Sequence, residues 1–384
     1  MTTLAPPQLD DRPFGGFQDP FLEQIEQKVA ARERLGREDG VRLFASHDLL
    51  GLGWLANRER ERRHGNKTYY NVNRHINYSN ICVNHCKFCA FARRPDEKEG
   101  QWQYSLDDIF DKAVRDMPPG GDELHIVGGL HPDLPFEYYL DMLRGLKERL
   151  PHVHLKAFTA VEIAHLAKIS GLKVQRVIER LVEAGLGSLP GGGAEVLTKS
   201  SRDLICGDKI TGRGWLNIHR TVHGLGLRSN CTMLYGHVET DEDRVDHMLL
   251  LRELQEETGG FQVFIPLAFH PKHSHMREVP APTGLTDLKV MAVARLMLDN
   301  IDHLKSYWIM LGIKTAQVAQ SFGANDMDGT VVEETIYHMA GAETPQQLSV
   351  REIQRLIREA GRAPVRRDTL YNEIETGTSC VAPS

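Results

Sequence analysis

From about residue 68 onward, the chain alternates short apolar segments with longer amphipathic ones, and this limits the fold more than any other sequence feature. In residues 136–150, apolar side chains recur every three or four positions, which predicts a helix with one buried face. Strands that alternate with helices over roughly 260 residues indicate an α/β fold, and eight of them favour a parallel (β/α)8-type, TIM-like barrel. The predicted strands are Tyr69–Ile81, Glu123–Val127, His154–Phe158, Leu186–Leu189, Ser229–Tyr235, Gln262–Leu267, Lys305–Met310 and Ala319–Gly323.

The segments on either side of the alternation divide the chain into three parts. We predict an N-terminal arm and helical extension over residues 1–65, the barrel over residues 66–345, and a C-terminal helical tail over residues 346–384. Residues 1–20 are rich in Pro, Gly and Asp and are expected to form a loose arm, and the last residues are expected to be disordered. Three pairs with the spacing of a helix-capping box mark helix starts, namely Ser105 with Asp108, Thr240 with Asp243 and Ser349 with Glu352.

Composition and charge narrow the class of protein. The net charge is −6 and no long run of Lys or Arg occurs, so nucleic acid is not an expected partner. No stretch of ~20 apolar residues could cross a membrane, and the acidic N-terminal segment has no apolar signal region, so we expect a cytoplasmic protein. Of the six cysteines, Cys206, Cys231 and Cys380 are isolated and are predicted to lie outside any functional site.

The strongest motif is formed by Cys82, Cys86 and Cys89, with the spacing Cys-x3-Cys-x2-Cys. Three thiolates are suitable ligands for an iron–sulfur cluster or for zinc. A closed zinc site needs a fourth ligand, and no second Cys or His pair with matching spacing stands out nearby, although His85 lies inside the motif. On a 4Fe–4S cluster, three thiolates leave one iron open to a small molecule. The motif directly follows the first predicted strand, at the end of the barrel where active sites form.

This motif, with Phe88 as the aromatic residue before its last cysteine, resembles that of the radical S-adenosylmethionine (SAM) superfamily, and Phe88 is then expected beside the cofactor. Further stretches make residues 40–365 similar to one branch, which contains the menaquinone enzymes of the futalosine pathway and the deazaflavin synthases. Within that branch, residues 323–334 are most similar to the aminofutalosine synthases. The stretches are Asn73–Cys82, Gly128–Pro132, Phe158–Glu162, Pro190–Glu195, Gly236–Thr240 and Gly323–Asp326.

The resemblance implies a cofactor and an activity. In the superfamily, the open iron of a 4Fe–4S cluster binds the amino and carboxylate groups of SAM, and an electron from the cluster cleaves SAM to methionine and a 5′-deoxyadenosyl radical. In aminofutalosine synthases the radical adds to 3-(1-carboxyvinyloxy)benzoate, and loss of one carboxylate gives 6-amino-6-deoxyfutalosine for menaquinone biosynthesis. The chemistry also implies an external one-electron donor such as flavodoxin or ferredoxin.

Three alternatives remain open on the sequence. Two are enzymes of the same branch: dehypoxanthine futalosine cyclase and a subunit of deazaflavin (F0) synthase. The third is a noncatalytic metal-binding scaffold that has kept the fold. Polar residues at the predicted strand ends favour an enzyme, because a scaffold needs none of them.

The resemblance also assigns residues to SAM. Gly128 and Gly129 end the second predicted strand, where glycine lets a backbone approach a ligand closely. Glu162 and Glu195 follow the third and fourth strands and are expected to accept hydrogen bonds from ribose hydroxyls or the SAM ammonium group. Arg202 is expected to pair with the methionyl carboxylate. The ordinary alternatives are a strand-ending turn, two helix-start carboxylates and a surface arginine.

The predicted catalytic residues follow other strands. His131, His237 and His270 each come just after an apolar segment, so all three are expected at the barrel mouth, where histidine can donate to a carboxylate or move a proton. Asn325 and Asp326 are placed at the end of the last strand as substrate or SAM contacts. The alternatives are structural histidines and an Asn-Asp turn.

Overall fold

The computed structural model describes residues 15–375. Most of the predicted loose arm, the predicted disordered end and Cys380 lie outside these residues. The described strands are β1 (Lys67–Asn71), β2 (Asn73–Ile76), β3 (Glu123–Ile126), β4 (His154–Ala157), β5 (Ser188–Leu189), β6 (Arg228–Tyr235), β7 (Phe261–Ala268), β8 (His303–Leu304), β9 (Asp326–Gly329) and β10 (Ala363–Arg366). The described helices are α1 (Phe21–Ala30), α2 (Arg37–Ala45), α3 (Leu49–His64), α4 (Leu106–Arg115), α5 (Phe136–Arg149), α6 (Ala160–Ser170), α7 (Val174–Glu183), α8 (Lys199–Cys206), α9 (Gly212–Gly224), α10 (Asp241–Thr258), α11 (Gly284–Met297), α12 (Trp308–Leu311), α13 (Ile313–Val318), α14 (Ile336–Ala340) and α15 (Val350–Glu359).

The strands form a parallel barrel. One sheet runs from β2 to β8 in chain order, and a second has the order β10–β1–β9. Single parallel bridges join the two sheets on both sides: Arg74 pairs with Val332 after β9, and Lys305 after β8 pairs with Asp326. The strands β1 and β2 therefore act as one interrupted strand, which completes a ring of eight with the strands from β3 to β9. The α/β barrel predicted from the sequence is confirmed.

Amphipathic helices cover the outside of the barrel. In α5, Leu140, Leu143 and Leu146 are fully buried, as their spacing predicted. The three predicted capping boxes are present at the starts of α4, α10 and α15. The N-terminal helices pack on one side, where α3 lies along α11. No helix among residues 15–375 has the length and apolar character needed to cross a membrane.

The last two predicted strands are wrong in position. The second half of the segment predicted as the strand Lys305–Met310 begins the buried helix α12, while the strand β8 lies just before the segment. A short buried apolar run has no periodicity that distinguishes the two structures. The segment Ala319–Gly323 contains a 3-10 turn, and the strand is the polar segment β9 that follows.

The C-terminal segment contains a strand that its sequence pattern does not predict. After the predicted helix, found as α15, the chain turns back as β10 and pairs in parallel with β1, from Lys67 with Ala363 to Tyr70 with Arg366. This strand is only four residues long and contains a proline, so it has no clear strand pattern.

The barrel interior carries buried ion pairs. Lys156 Nζ donates to Glu123 Oε1 at 2.6 Å, and Arg367 Nε donates to Asp326 Oδ2 at 2.6 Å. Lys305 Nζ lies 3.0 Å from Asp328 Oδ1. Burial alone would raise the pKa of Glu123, but Lys156, Lys305 and Arg367 hold it well below its usual range. The charged strand β9 is stable in this position because each of its carboxylates meets a cation.

We predict that Arg367→Met destabilises the protein by about 3–5 kcal/mol, because it leaves the Asp326 carboxylate buried without its cation. Asp326→Asn in addition should recover much of this loss. Urea unfolding measures both, with Arg355→Met on the exposed face of α15 as a control that changes little. Equal losses in the single and double variants would contradict the argument.

The same pair predicts a pH dependence. Burial raises the pKa of Asp326, yet Arg367 and Lys305 lower it more, to about 2. A carboxyl group whose pKa is lower when folded stabilises the protein above its unfolded pKa and loses that contribution as the pH falls. The stability difference between wild type and the Asp326→Asn, Arg367→Met double variant should therefore change between about pH 4 and pH 2. Urea unfolding at each pH measures it.

Candidate active site

A cavity opens at the carboxyl ends of the barrel strands, where the following loops meet. It continues down between the strands, because inward-facing side chains of β2, β3 and β4 form part of its wall. Most of the residues that the sequence predicted for the site line this cavity. They are Cys82, Cys86, Phe88, Cys89, Gly128, Gly129, Glu162, Glu195 and His270.

The cysteine loop, residues 77–104, is closed by buried polar groups at its start. The Asn80 side chain accepts the Trp102 N–H at 2.9 Å and donates to the Gly100 carbonyl at 2.8 Å. The Arg93 N–H donates to the Asn80 carbonyl, and the Cys82 N–H donates back to the Arg93 carbonyl. The two ends of the loop are thus tied together, which fixes where the cysteines enter the cavity.

The three thiols fit an iron–sulfur cluster by their chemistry. None is in a disulfide, and the Ala92 N–H donates to Cys89 Sγ at 3.4 Å, a bond of the kind that tunes cluster sulfurs. Burial raises the pKa of both Cys86 and Cys89, and a bound metal ion would lower it again by stabilising the thiolates. Within residues 15–375, no group of three or more Cys, His, Asp or Glu side chains is arranged to hold a single metal ion.

Gly128 and Gly129 lie directly against the cysteine loop. A Cβ on Gly129 would lie 2.2 Å from the Ile81 carbonyl oxygen, and one on Gly128 would lie 2.6 Å from the Tyr78 ring. The Gly129 N–H donates to the carbonyl of Ser79 at 2.7 Å. Glycine is therefore required here by packing, in addition to leaving the backbone open toward the cavity.

Glu162 supports this contact from the next strand. It caps α6 by accepting the Thr159 N–H at 2.7 Å. Its other oxygen accepts the Tyr78 O–H at 2.8 Å and the Gly128 N–H at 3.0 Å. Burial raises its pKa. The carboxylate lines the cavity but is largely occupied in holding the glycine turn.

Glu195 and Lys209 form an ion pair beside the cysteines. The Lys209 ammonium donates to Glu195 Oε1 and lies 5.1 Å from the centre of the Phe88 ring. Burial would lower the pKa of Lys209, but the neighbouring Cys86 and Glu195 raise it. Glu195 has φ of 47°, a left-handed backbone conformation that costs energy outside glycine and is concentrated at functional sites.

Comparisons with known proteins agree with this geometry. Residues 76–251 match the model of the radical SAM superfamily, and residues 258–379 match the CofH/MqnC C-terminal region. Aminodeoxyfutalosine synthase of Thermus thermophilus is 49% identical over 94% of this chain and 97% of its own length. The chain belongs to the radical SAM superfamily. The superfamily predicted from the cysteine motif is therefore confirmed.

Other relatives carry different names. The 5-amino-6-(D-ribitylamino)uracil–L-tyrosine 4-hydroxyphenyl transferase of Methanococcoides burtonii is 40% identical over 83% of this chain and 90% of its own. Cyclic dehypoxanthine futalosine synthase of Streptomyces coelicolor is 36% identical over 92% of this chain and 89% of its own. The crystal structure of HydG, an FeFe-hydrogenase maturase, superimposes with a TM-score of 0.71 over 90% of this chain and 76% of its own. At 17% identity, this last likeness shows the fold alone.

Five predicted residues of this radical SAM chain lie outside the cavity wall, and three of them, Arg202, His131 and His237, are held by contacts near them in the chain. Arg202 donates to the carbonyls of Ala194 at 2.5 Å and Ile210 at 2.8 Å, so it supports the loop that carries Glu195. The imidazole of His131 accepts the N–H of Asp133. That of His237 lies 3.0 Å from Glu239 Oε2 and contacts the Leu234 carbonyl. Each of these side chains is held in place by hydrogen bonds to residues close to it in the chain.

Asn325 and Asp326 are placed at the opposite end of the barrel. They precede or begin β9, and do not end the last strand as predicted from the sequence. Asn325 Oδ1 accepts from Arg295 at 2.7 Å and from the Leu304 N–H at 2.8 Å, and Asp326 is paired with Arg367. The error in the strand position moved both residues to the wrong end.

The structure adds cavity residues that sequence reasoning missed. They lie within strands, after β8 or β9, or, for Lys209, in the loop after α8, and no motif marks these positions. Lys156 was the one detectable signal, since a lone lysine in an apolar strand segment needs a buried partner. The added polar residues are His75, His125, Lys156, Lys209, Asn230, Thr232, Lys305, Tyr307, Asp328, Glu334 and Tyr337.

We predict that Cys86→Ala prevents cluster assembly, because two thiolates cannot replace three. Iron and sulfide assays after anaerobic reconstitution should give about four irons per chain for wild type and little for the variant. Cys231→Ala is the matched control, since Cys231 lies in β6 with its thiol donating to the Val263 carbonyl. Retained iron in Cys86→Ala would contradict the assignment.

We also predict that Gly129→Ala lowers cluster content and stability together, with a loss of about 1–3 kcal/mol from overpacking against the Ile81 carbonyl. Gly284→Ala at the start of α11 is the control, because nothing lies within 4 Å of the added methyl group. Thermal unfolding and iron content measure the two effects. An unaffected Gly129→Ala would mean that the loop contact is dispensable.

Proposed function

We propose that this radical SAM protein is an aminofutalosine synthase, which joins the adenosyl group of SAM to 3-(1-carboxyvinyloxy)benzoate and releases one carboxylate to give 6-amino-6-deoxyfutalosine. The observation that carries the proposal is the 49% identity, over 94% of the chain, to a protein named aminodeoxyfutalosine synthase. The position of the cysteine loop beside a deep cavity supports it, because the reaction needs SAM and a second molecule in one enclosed space.

In this proposal Cys82, Cys86 and Cys89 hold a 4Fe–4S cluster. When bound and reduced, the cluster supplies the electron that splits SAM into methionine and a 5′-deoxyadenosyl radical. Gly128 and Gly129 would receive SAM, because their bare backbone faces the cavity beside the cysteine loop. The protein's own part is binding, orientation and the exclusion of water.

The Glu195–Lys209 pair supports a zwitterionic ligand next to the cysteines. SAM has an ammonium group and a carboxylate on its methionyl part, and this pair offers one charge of each sign. Phe88 lies beside the Lys209 ammonium group and contributes an apolar surface. We propose that Glu195, Lys209 and Phe88 contact SAM, while Glu162 and Arg202 hold the loops that do so.

His270 is the one predicted histidine that lines the cavity, and we propose that it contacts the substrate. Its Nε2 lies 3.0 Å from the Met310 carbonyl oxygen, so Nε2 carries the proton and donates there. Burial lowers its pKa, which favours the neutral ring. The imidazole is thus held in one orientation beside Tyr337, at a ring-centre distance of 5.8 Å.

The family resemblance also implies an electron donor and a cellular location for this protein. We propose a one-electron donor such as flavodoxin or ferredoxin, since each reductive cleavage of SAM consumes one electron that has to be supplied from outside the reaction. We further propose a cytoplasmic location, where the free cysteines would stay reduced.

The test is anaerobic incubation of the reduced, reconstituted protein with SAM and 3-(1-carboxyvinyloxy)benzoate. Mass spectrometry should find 6-amino-6-deoxyfutalosine that carries the label of 13C-adenosyl SAM, together with one methionine per product. Cys86→Ala should form none. Release of unlinked 5′-deoxyadenosine as the only adenosyl product would contradict the proposal.

Two relatives name the competing activities, so the same assay includes their substrates. A cyclase would convert dehypoxanthine futalosine and release 5′-deoxyadenosine. A deazaflavin-synthase subunit would act on tyrosine and 5-amino-6-(D-ribitylamino)uracil. The lower identities of 36% and 40% make both less supported than the synthase.

A further inference from the structure

Two stacked histidines lie in the wall of the cavity and have no assigned role. His75 of β2 and His125 of β3 are register partners, and Lys156 of β4 is the register partner of His125. The imidazole rings are 4.5 Å apart between centres and 23° from parallel. All three side chains line the cavity, so they form one level of the barrel interior.

This level is deeper than the cysteine loop. His125 precedes Gly128 by three residues along the same strand direction, which places it ~10 Å nearer the centre of the barrel. A molecule held by the cysteines and Gly128 would therefore lie above the histidines. A second molecule that reacts with it would have to fill the space between that ligand and this level.

The histidines have unused hydrogen-bonding capacity. His75 is 8% exposed, and its Nε2 is buried without a hydrogen-bond partner among the described residues. A buried polar atom without a hydrogen bond costs folding free energy. Such an atom in the wall of a cavity therefore indicates that a ligand binds there. Burial lowers the pKa of His75 and of His125, so both rings are neutral and each can offer one N–H donor.

Lys156 has ammonium donors left for a negatively charged acceptor, and the carboxylates near this level are paired with cations. Glu123 takes one of the three ammonium donors of Lys156, at 2.6 Å. The other nearby carboxylates already face cations: Asp328 lies 3.0 Å from Lys305 Nζ, and Glu334 lies 3.4 Å from His338. The hydrogen bond to Glu334 raises the pKa of His338 to about 9, so this second pair is ionised at neutral pH. No carboxylate in this set is left uncompensated to repel an incoming anion.

We propose that His75, His125 and Lys156 form the subsite for the ring carboxylate of an aromatic carboxylic acid substrate. The carboxylate accepts hydrogen bonds from the imidazole N–H groups and the Lys156 ammonium group. This assignment deepens the proposed function, on which it rests for the identity of the substrate, since one of the two carboxylates of that substrate is on a benzene ring.

The test measures binding without turnover. Reconstituted protein with SAM and no reductant is titrated with 3-methoxybenzoate, or with methoxybenzene as the matched probe without the carboxylate, by ligand-observed NMR. Wild type should bind 3-methoxybenzoate at least about tenfold more tightly, as expected for hydrogen bonds to a charged group. His125→Phe and His75→Phe keep a flat ring and should lose this preference. His152→Phe, at an exposed loop position, should keep it.

Equal binding of both probes by wild type, or an unchanged preference in His125→Phe, would overturn the subsite. His125 is partly open to the cavity, so His125→Phe decides the question if His75→Phe fails to fold. The proposed function fails separately, if the wild type prefers 3-methoxybenzoate but makes no 6-amino-6-deoxyfutalosine. In that outcome the site would still recognise an aromatic carboxylate.

Discussion

The site depends on the backbone contact between the cysteine loop and the Gly128–Gly129 turn. The second glycine lies so close to the Ile81 carbonyl that a methyl group has no room, and a hydrogen bond to Ser79 joins the two segments. Glu162 then fixes the turn from a third strand. These contacts hold three successive strand ends together, and this arrangement fixes the position of the cysteines.

The interior of the barrel is the second constraint. An apolar filling would close the space between the strands, whereas this barrel carries ion pairs such as Lys156 with Glu123. Buried pairs of this kind add little net stability, since desolvation offsets attraction. Their presence is better explained by function, because they keep a polar, open cavity below the cysteine loop. The cost of this arrangement is that every charge needs its partner, which is why β9 is charged yet fully buried.

Prediction from sequence succeeded where the signal was local. The cysteine motif, the capping boxes and the apolar face of α5 each depend on residues within a few positions of one another, and all were found in the structure. Prediction failed for the last two strands and for Asn325 and Asp326, which rested on them. The apolar run of α12 was assigned to a strand, and the charged β9 was not recognised, because burial of its charges depends on distant cations such as Arg367.

The sequence by itself determined the superfamily, the alternation of strands and helices, and the three cysteines that enter the cavity. These follow from spacing along the chain, and spacing is visible without a fold. Only the tertiary structure decided which polar residues share the cavity, because His75, His125 and Lys156 lie in three strands, Lys305 follows a fourth, and they meet through barrel closure. It also decided that Arg202, His131 and His237 satisfy local backbone groups, since hydrogen-bond partners are settled by packing and not by position in the chain.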